Sequence, residues 1–357
     1  MGKKKHHHVQ QTKTAPGAML RRKFYPLVSV CTPTFNRRPF IPIVIDCFKN
    51  QTYPRDRMEW IIVDDGTDPV EDLFIEASAY LPQIRYIKCP HKMNLGEKRN
   101  FMHSFVKGTI IVYMDDDDYY PPERVEHAVT TLQNNTDALC AGASEIYVYF
   151  RNLIGQANRM IQCGPYGPNH ATAGTFAFRA ELLKTSRYED NAALAEEKQF
   201  LKNYTVPFVQ LDPLKTILVF SHEHNTFDKR KLLLNPDPRV LKDSPKKVED
   251  FIRRPEEDNI KDFFMNRIDA ALAEYPLGKP EEKPDVLNQI KKIEEERARL
   301  QNAQNGADSA KLMLQRPGEE PRELTMQEIT QILNNQTQEI AKLQAENQEL
   351  KKKLGLV

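Results

Sequence analysis

Short apolar runs alternate with amphipathic segments along the first two thirds of the chain, and this alternation restricts the fold more than any other feature. The runs are rich in β-branched and aromatic residues: "LVSVCTPT", "EWIIVDD", "IRYIKC", "GTIIVYMDD", "ALCAGASEIYVYF" and "KTILVFSHEHN". The segments between them, such as "PFIPIVIDCFKNQ" and "PERVEHAVTTLQNN", have helical periodicity. Strands that alternate with helices predict an α/β fold, with a mostly parallel sheet flanked by helices.

Charge and cysteine content exclude several classes of protein. The 357 residues include 51 Lys and Arg against 50 Asp and Glu, so no overall field favours nucleic acid or an anionic membrane. The five cysteines lack metal-site spacing, which is typical of reduced thiols. No apolar run is long enough to span a bilayer, and the basic N-terminus lacks the apolar core of a signal peptide. We therefore predict a cytoplasmic protein without a membrane span.

Polar residues follow four of the predicted strands at the point where each strand ends. These ends read "CTPTFNRR", "VDDGTD", "MDDDDYY" and "SHEHN". Ligands of open parallel sheets bind beyond the carboxyl ends of the strands. The four polar ends are therefore expected to converge on one crevice.

The run of four aspartates, Asp115 to Asp118, points to a divalent cation. Crowded carboxylates repel one another and raise each other's pKa unless a cation holds them. Oxygen ligands suit magnesium, manganese or calcium, and strand alternation would turn Asp115 and Asp117 the same way while Asp116 faces elsewhere. Asp118 and Glu123 are candidate caps of the helix that follows. The alternative is a solvated acidic turn that binds no ion.

The motifs together resemble those of the family 2 glycosyltransferases, inverting enzymes with the Rossmann-like GT-A fold that use nucleotide-diphospho-sugars. The likeness covers roughly residues 27 to 230 and includes, in the expected order, "VSVCTPTFNRR", "EWIIVDDGTDP", "NLGEKRN", "YMDDDDYYPP" and "AEEKQFLKNY". It implies a hexosyl-type transferase with Mn²⁺ or Mg²⁺ at the DxD motif, a UDP-sugar donor and a glycan or other hydroxyl acceptor.

The resemblance also implies a set of nucleotide-binding residues. These are Thr32, Pro33, Thr34, Arg37, Asp65, Lys98, Arg99, Asp115 and Asp116. Asp65 has the acceptor oxygens to bind the N3–H of uracil, whereas Asp64 would hold the loop after its strand. Arg38 is an alternative to Arg37 for phosphate, and surface salt bridges are the alternative role for Lys98 and Arg99.

The metal ligands and the catalytic base are expected from different parts of the chain. The metal set is Asp117, Asp115, His222 and His224. His222 is the first candidate of the two histidines because it forms an HxxN pattern with Asn225, as in some relatives, and His224 is the second. The alternative for either histidine is a buried residue that binds no metal. Glu197 is the first candidate for the base that deprotonates the acceptor, and Glu196 is the second. A charged amphipathic helix is the alternative for this segment.

"GPNHATAGTFAFRAELL" falls where the family receives the donor sugar and the acceptor. Ala173 and Gly174 are small enough to let a sugar approach the backbone. Tyr166 and His170 are candidates for stacking or hydrogen bonding there.

The C-terminal end has a heptad repeat. The a positions are Leu333, Ile340, Asn347 and Leu354, and the d positions are Ile329, Gln336, Leu343 and Leu350. An asparagine at a favours a parallel, in-register dimer, with a trimer as a second form, and Glu346 can pair with Lys351 between chains. A single helix folded back on the catalytic domain is the alternative.

These observations predict five segments. They are a flexible basic tail at 1–24, a glycosyltransferase domain at 25–236 with a nucleotide-binding half (25–130) and an acceptor half (131–236), a helical extension at 237–278, a linker with a charged helix at 279–322, and a coiled coil at 323–357. The rival functions are a nucleotidyltransferase and a non-catalytic sugar-nucleotide-binding scaffold assembled by the coiled coil. "TPTFNRR" lacks the glycines of a nucleotidyltransferase phosphate loop, which counts against the first rival.

Overall fold

The computed structural model describes residues 24–151, 157–193, 197–234, 236–309, 313–314 and 322–353. The helices and strands in chain order are β1 Val28–Thr34, α1 Ile41–Lys49, β2 Met58–Asp64, α2 Glu71–Ser78, β3 Ile84–Lys88, α3 Leu95–His103, β4 Ile110–Tyr113, α4 Arg124–Asn134, β5 Cys140–Gly142, β6 Ile146–Phe150, β7 Arg159–Cys163, β8 Ala177–Arg179, α5 Glu197–Phe200, β9 Phe208–Gln210, β10 Leu218–Phe220, β11 Leu241–Asp243, α6 Asp258–Asp262, α7 Ile268–Ala273, α8 Pro284–Ser309, β12 Met313–Leu314, β13 Arg322–Glu323 and α9 Met326–Lys353. Residues 1–23 of the predicted tail lie outside the described residues.

The chain divides into two compact units, Met1–Gln289 and Ile290–Val357. The first unit contains a seven-stranded sheet in the order β3-β2-β1-β4-β8-β5-β9. Strands β1 to β4 are mutually parallel, whereas β8 runs antiparallel to both β4 and β5. The predicted α/β class, with a mostly parallel sheet flanked by helices, is confirmed.

Both faces of this sheet are buried because apolar residues occupy successive positions of the central strands. Val112 packs into the larger core cluster, while its neighbours Ile111 and Tyr113 pack into a second cluster. Successive side chains of a strand point to opposite faces, so an uninterrupted apolar run supplies two cores. The central strands are thus fixed between two helical layers, and their carboxyl ends are held in place.

A four-stranded second sheet, in the order β10-β6-β7-β11, was not expected from the sequence. The run "ALCAGASEIYVYF" resembles one strand but forms β5 in the first sheet and β6 in the second. The chain leaves β5 near Ser144, whose hydroxyl accepts hydrogen bonds from the N–H groups of Tyr166 and Gly167 at 2.7 and 2.9 Å. These bonds give the two backbone N–H groups of the loop after β7 a hydrogen-bond acceptor outside any strand. Strand β10 pairs in parallel with β6, so the "SHEHN" segment leaves the second sheet.

The segment after Pro236 packs against the first core. Phe251, Ile260, Phe264 and Leu272 are buried in the larger cluster. They lie on or beside α6 and α7, which are joined by a π-helical turn at Phe263–Arg267. The predicted helical extension at 237–278 therefore contributes to the core of the first unit.

The second unit contains most of α8, the short β12–β13 pair and the 28-residue helix α9. Residues Gln336, Ile340, Leu343, Asn347 and Leu350 of the predicted heptad lie on α9 and are exposed. Leu354 lies outside the described residues. No helix in the described parts of the chain has both the length and the apolar character needed to cross a membrane.

Candidate active site

A pocket with a cavity volume of about 140 Å³ lies at the carboxyl ends of β1 and β4. Its charged lining consists of the cations Arg37, Lys92, Lys98, Arg99 and Lys283 and the acids Asp115, Asp116, Asp117 and Asp285. Pro33, Thr34 and Phe35, which end and follow β1, form another part of its wall. The pocket therefore lies where the predicted strand ends were expected to converge.

The aspartate run forms the acidic wall of this pocket. Because β4 ends at Tyr113, the four aspartates lie in a turn, and strand alternation does not apply to them. Asp115 lies 3.5 Å from the Arg99 guanidinium, while Asp117 lies 3.3 Å from that of Arg37. Asp116, which was expected to face elsewhere, also lines the pocket, 3.6 Å from Arg37 Nε.

The surroundings of these carboxyl groups separate their proton affinities. Burial raises the pKa of Asp116 to about 7, although Arg37 acts in the opposite direction. Burial also opposes ionisation of Asp117, but the charges of Arg37 and nearby lysines lower the pKa of Asp117 to about 2. The pKa of Asp118 is raised well above its ordinary value by burial and by the charge of Asp117. Asp117 therefore holds the negative charge most firmly.

Arg37, rather than Arg38, belongs to the pocket. Arg37 donates to the carbonyl oxygens of Gly278 and His224, both at 2.9 Å, in addition to Asp117. Arg38 points elsewhere and pairs with Asp68 and Asp72 at 2.8 Å each. Arg37 thus joins the loop after β1 to the segment after β10.

Asp64 and Asp65 have different structural roles. Asp64 accepts from the N–H groups of Gly66 and Val70 and from the hydroxyl of Tyr86, at 2.8, 3.0 and 2.6 Å. It holds the loop after β2, which is the role considered for it from the sequence.

The Asp65 carboxylate lies beneath the pocket wall, with its side chain 0% exposed. It pairs with Lys98 and accepts from the Met93 N–H at 2.6 Å. Lys98 in turn donates to the Thr34 carbonyl oxygen at 3.0 Å. In this conformation Asp65 orients Lys98 and does not face the pocket.

Thr32, another predicted nucleotide-binding residue, also lies below the pocket. Its hydroxyl donates to the Met114 carbonyl oxygen at 2.7 Å and accepts from the Trp60 indole N–H at 2.8 Å. Arg99 does reach the pocket, with its guanidinium 4.3 Å from the centre of the Tyr113 ring. A ring face beneath a guanidinium fixes its plane and leaves its edge to bind anions.

His222 lies beside Asp117, with Nε2 3.7 Å from the carboxylate oxygen Oδ2. The Asn225 amide donates to the same Nε2 at 2.8 Å, and Asn225 Oδ1 accepts from the His222 backbone N–H at 2.9 Å. The two residues of the HxxN pattern are therefore hydrogen-bonded to each other. Burial lowers the pKa of His222 well below its ordinary value, so the ring is neutral.

The four predicted metal ligands do not form one preassembled group. Within the described residues, no three His, Cys, Asp or Glu side chains are close enough together to hold a metal ion. The carboxylate of Asp115 turns towards Arg99, and the ring of His224 is fully buried near Tyr275. The structure brings together two of the four, Asp117 and His222.

The predicted sugar-binding residues lie in two places. Ala173 and Gly174 form a buried 3₁₀ turn, and a Cβ atom on Gly174 would lie 2.7 Å from an Asp115 oxygen. Tyr166 is 46% exposed, and its ring centre lies 5.1 Å from that of His170. A third ring, Tyr204, lies 5.0 Å from His170 and was not predicted from the sequence.

Glu197 begins α5 and is partly exposed, outside the pocket lining described above. The pKa of Tyr204 is raised by burial and then by the charge of Glu197, so this carboxylate acts near the aromatic group. Glu196, the second candidate for the base, lies outside the described residues.

Several pocket residues had no assigned role in the sequence. Phe35 lies inside the "TPTFNRR" motif, where an aromatic side chain after a turn could have indicated a residue of the pocket wall. Lys92 lies just before the "NLGEKRN" motif. Lys283 and Asp285 come from a charged, proline-rich stretch whose pattern does not indicate a site.

Residues 29–191, a little under half of the chain, match the model of Glycosyl transferase family 2. An uncharacterized glycosyltransferase of Rickettsia bellii is 33% identical over 127 residues, which are 34% of this chain and 18% of that protein. Chondroitin synthase of Escherichia coli is 28% identical over 137 residues, 38% of this chain and 19% of that protein. The chain thus spans about a fifth of the length of these two relatives.

Two solved structures are also similar to this chain. Mannosyltransferase PcManGT from Pyrobaculum calidifontis, in complex with GDP-Man and Mn²⁺, is 15% identical, with a TM-score of 0.46 and 80% of each chain covered. TarS 1-349 of S. aureus, in complex with UDP-GlcNAc, is 18% identical, with a TM-score of 0.42 and 55% of this chain and 59% of that chain covered. Both TM-scores are below 0.5.

The family match and the curated relatives show a likeness to family 2 glycosyltransferases over a little under half of the chain. They agree with the parallel sheet of the first unit and with a GT-A-type α/β fold.

Proposed function

We propose that the chain is a metal-dependent inverting glycosyltransferase that moves a sugar from a nucleotide-diphospho-sugar to a hydroxyl of a glycan or another acceptor. The observation that carries this proposal is the pocket at the ends of β1 and β4, where five cationic side chains face the Asp115–Asp117 turn. A UDP-sugar is the first donor to test because of the motif resemblance around "VDDGTD".

The cations of the pocket suit a diphosphate. Arg37 and Lys98 are held rigidly by partners in the protein, and the guanidinium of Arg99 is held over the Tyr113 ring. Cations fixed before a ligand arrives bind it without losing side-chain freedom at that moment. The diphosphate would bind along this wall, and the partly exposed ring of Phe35 offers a surface for the base.

The Asp117–His222 pair fits a divalent cation. His222 Nε2 lies 3.7 Å from Asp117 Oδ2, and its single lone pair accepts a hydrogen bond from the Asn225 amide. A divalent cation would take the place of this amide N–H at Nε2, and an oxygen–imidazole pair suits Mn²⁺ and also accepts Mg²⁺. When bound, the ion would supply positive charge that stabilises the leaving diphosphate.

The protein's own residues would complete the reaction. Arg37 and Lys98 would hold the leaving group, while the lack of a side chain at Gly174 leaves room for the Asp115 carboxylate beside the pocket. Glu197 would take the proton from the acceptor hydroxyl, and the rings of Tyr166, His170 and Tyr204 offer the acceptor a stacking surface near it. In this proposal the donor would bind at the strand ends and the acceptor would bind beside α5.

We also infer that α9 associates with a second copy of the chain. Ile340, Leu343 and Leu350 are 56%, 57% and 57% exposed on this helix, with Asn347 in the same heptad register. Burial of such a stripe stabilises a parallel dimer, in which the asparagines meet each other. A trimer with the same seam is the second form.

A donor-hydrolysis screen tests the proposed function. The full chain is incubated with a panel of UDP-, GDP-, CDP- and ADP-sugars, with MnCl₂ or with EDTA, and the released nucleoside diphosphate is measured. Release from one donor class that requires the metal is expected. Pyrophosphate release from a nucleoside triphosphate and a sugar phosphate would instead identify a nucleotidyltransferase. Absence of turnover with every donor would instead favour the non-catalytic scaffold.

A further inference from the structure

Residues 275–289, here called the C-terminal strap, lie against the pocket although they fall well beyond the family match at 29–191. Three contacts anchor the strap. The Gly278 carbonyl oxygen accepts from Arg37 at 2.9 Å, Asp285 pairs with Lys92 at 2.5 Å, and Gln289 Oε1 accepts from the Ala193 N–H at 2.7 Å. The strap is therefore part of the folded pocket wall.

Gly278 allows the strap to approach the loop after β1. Its φ of +81° is in the left-handed region, and a Cβ at this position would lie 2.2 Å from the carbonyl oxygen of Asn36. Both conditions exclude a larger residue. The Asn36 amide also donates to Glu282 at 3.3 Å, so the strap and this loop are joined at Gly278 and again at Glu282.

The strap brings Lys283 into the pocket. Lys283 is only 7% exposed, and its Nζ donates to Thr226 Oγ1 at 3.1 Å. The ammonium group has three N–H donors. Within the described residues it makes this one hydrogen bond and pairs with no carboxylate. Burial lowers the pKa of Lys283 to about 7, and a bound anion would stabilise the charged ammonium group, so this contact geometry favours an anionic ligand.

The other lysines of the pocket already have carboxylate partners. The ammonium groups of Lys92, Lys98 and Lys283 lie 5.5, 5.7 and 6.0 Å from the centre of the Phe35 ring. Lys92 pairs with Asp285 and Lys98 pairs with Asp65. Of the three, Lys283 retains the most capacity to bind a new anion.

We propose that Lys283 binds the phosphate oxygens of the nucleoside diphosphate part of the donor, and that the strap supplies this donor-positioning residue to the pocket. The inference rests on the proposed function and adds to it a residue from outside the matched region. A charged hydrogen bond to phosphate acts on the diphosphate and has no effect on the nucleoside. Lys283 should therefore separate the affinity for nucleoside diphosphates from the affinity for nucleosides.

Calorimetry on the full chain tests this inference with UDP, GDP, CDP and ADP in the presence of MnCl₂, and with the matching nucleosides. Lys283→Gln should weaken binding of the preferred nucleoside diphosphate by about tenfold to a hundredfold, which is the range for a lost charge-assisted bond. Binding of the nucleoside should change by less than about twofold. Lys283→Arg, which keeps the charge, should retain most of the affinity.

Thermal unfolding separates this role from a structural one. Lys283→Met removes a buried charge that lacks a carboxylate partner, so its Tm without ligand should equal or exceed that of the wild type. A lower Tm together with equal losses of nucleoside and nucleoside diphosphate affinity would overturn the inference. Unchanged diphosphate affinity in Lys283→Gln would overturn this inference but not the proposed function. A wild type that binds none of the four nucleoside diphosphates would overturn both it and the proposed function.

Discussion

Tyr120 holds the acidic turn after β4 in place, and replacing it with phenylalanine tests this support. The Tyr120 hydroxyl accepts from the Asp115 N–H at 2.7 Å and donates to the Gly174 carbonyl oxygen at 3.3 Å. The side chain is buried, and burial raises the pKa of the phenol well above its ordinary value, so the hydroxyl keeps its proton. Tyr120→Phe removes one oxygen atom and leaves both backbone groups facing an apolar ring.

The loss can be estimated from these two bonds. A donor left without a partner in the interior costs about 1–3 kcal/mol. The Asp115 bond is short and carries most of this cost, whereas the longer Gly174 bond contributes less. We expect Tyr120→Phe to lower the free energy of unfolding by about 2 kcal/mol.

Urea unfolding followed by tryptophan fluorescence measures this change. Trp60 is the single tryptophan of the sequence and is fully buried in the first unit, so its signal reports on that unit. The midpoint should fall at an unchanged m value. The matched control is Tyr147→Phe, which removes a bond of 2.7 Å to the partly exposed Glu145 and should cost less than about 1 kcal/mol. Equal small losses in the two variants would refute the proposed support.

Three further predictions concern the base, the pH dependence and the assembly. Glu197→Gln should leave donor binding near normal and reduce sugar transfer by about 10²–10⁴, as measured by calorimetry and a transfer assay. An equal loss of both would make Glu197 structural, and a defect confined to Glu196→Gln would move the base by one residue. Burial and then the charge of Arg99 lower the pKa of His103 to about 3, so only the unfolded chain takes up its proton as the pH falls below about 6.5. Between pH 7 and 5 the wild type should therefore lose about 2 kcal/mol more stability than His103→Gln, and parallel urea curves would disprove this. Light scattering should find a dimer or trimer for the full chain and a monomer for a chain ending at Gln289, and two monomers at micromolar concentration would contradict the heptad interpretation.

The strands nearest the pocket could be predicted because their composition, their hydrophobic pattern and their bounding turns all indicate strands. β1, β2 and β4 are apolar, β-branched and bounded by polar turns, and local pattern alone identifies such segments. The second sheet could not be predicted because β5 and β6 follow each other in one apolar run. Ser144, which lies between them, accepts hydrogen bonds from the N–H groups of Tyr166 and Gly167, and such contacts across more than twenty residues leave no local pattern in the sequence.

Site residues could be predicted where one motif supplies them, and not where distant segments meet. The structure places Arg37 and Asp117 in the pocket and His222 beside Asp117, as expected for residues at converging strand ends. Asp65 illustrates a limit of motif reasoning. The motif indicates a carboxylate with free acceptor oxygens, but it contains no information that Lys98 and the Met93 N–H use them. Lys283 reaches the same pocket from far along the chain, through tertiary packing alone.

The central claim is that Asp117 and His222 form the protein part of a metal-dependent donor site. The most direct measurement is manganese-dependent hydrolysis of the preferred nucleotide sugar by the wild type, Asp117→Asn and the control Asp72→Asn, whose carboxylate pairs with Arg38 away from the pocket. We predict that Asp117→Asn loses the manganese-stimulated turnover while it still unfolds in one cooperative urea transition, and that Asp72→Asn keeps the turnover. Wild-type activity of Asp117→Asn in manganese would contradict the assigned site.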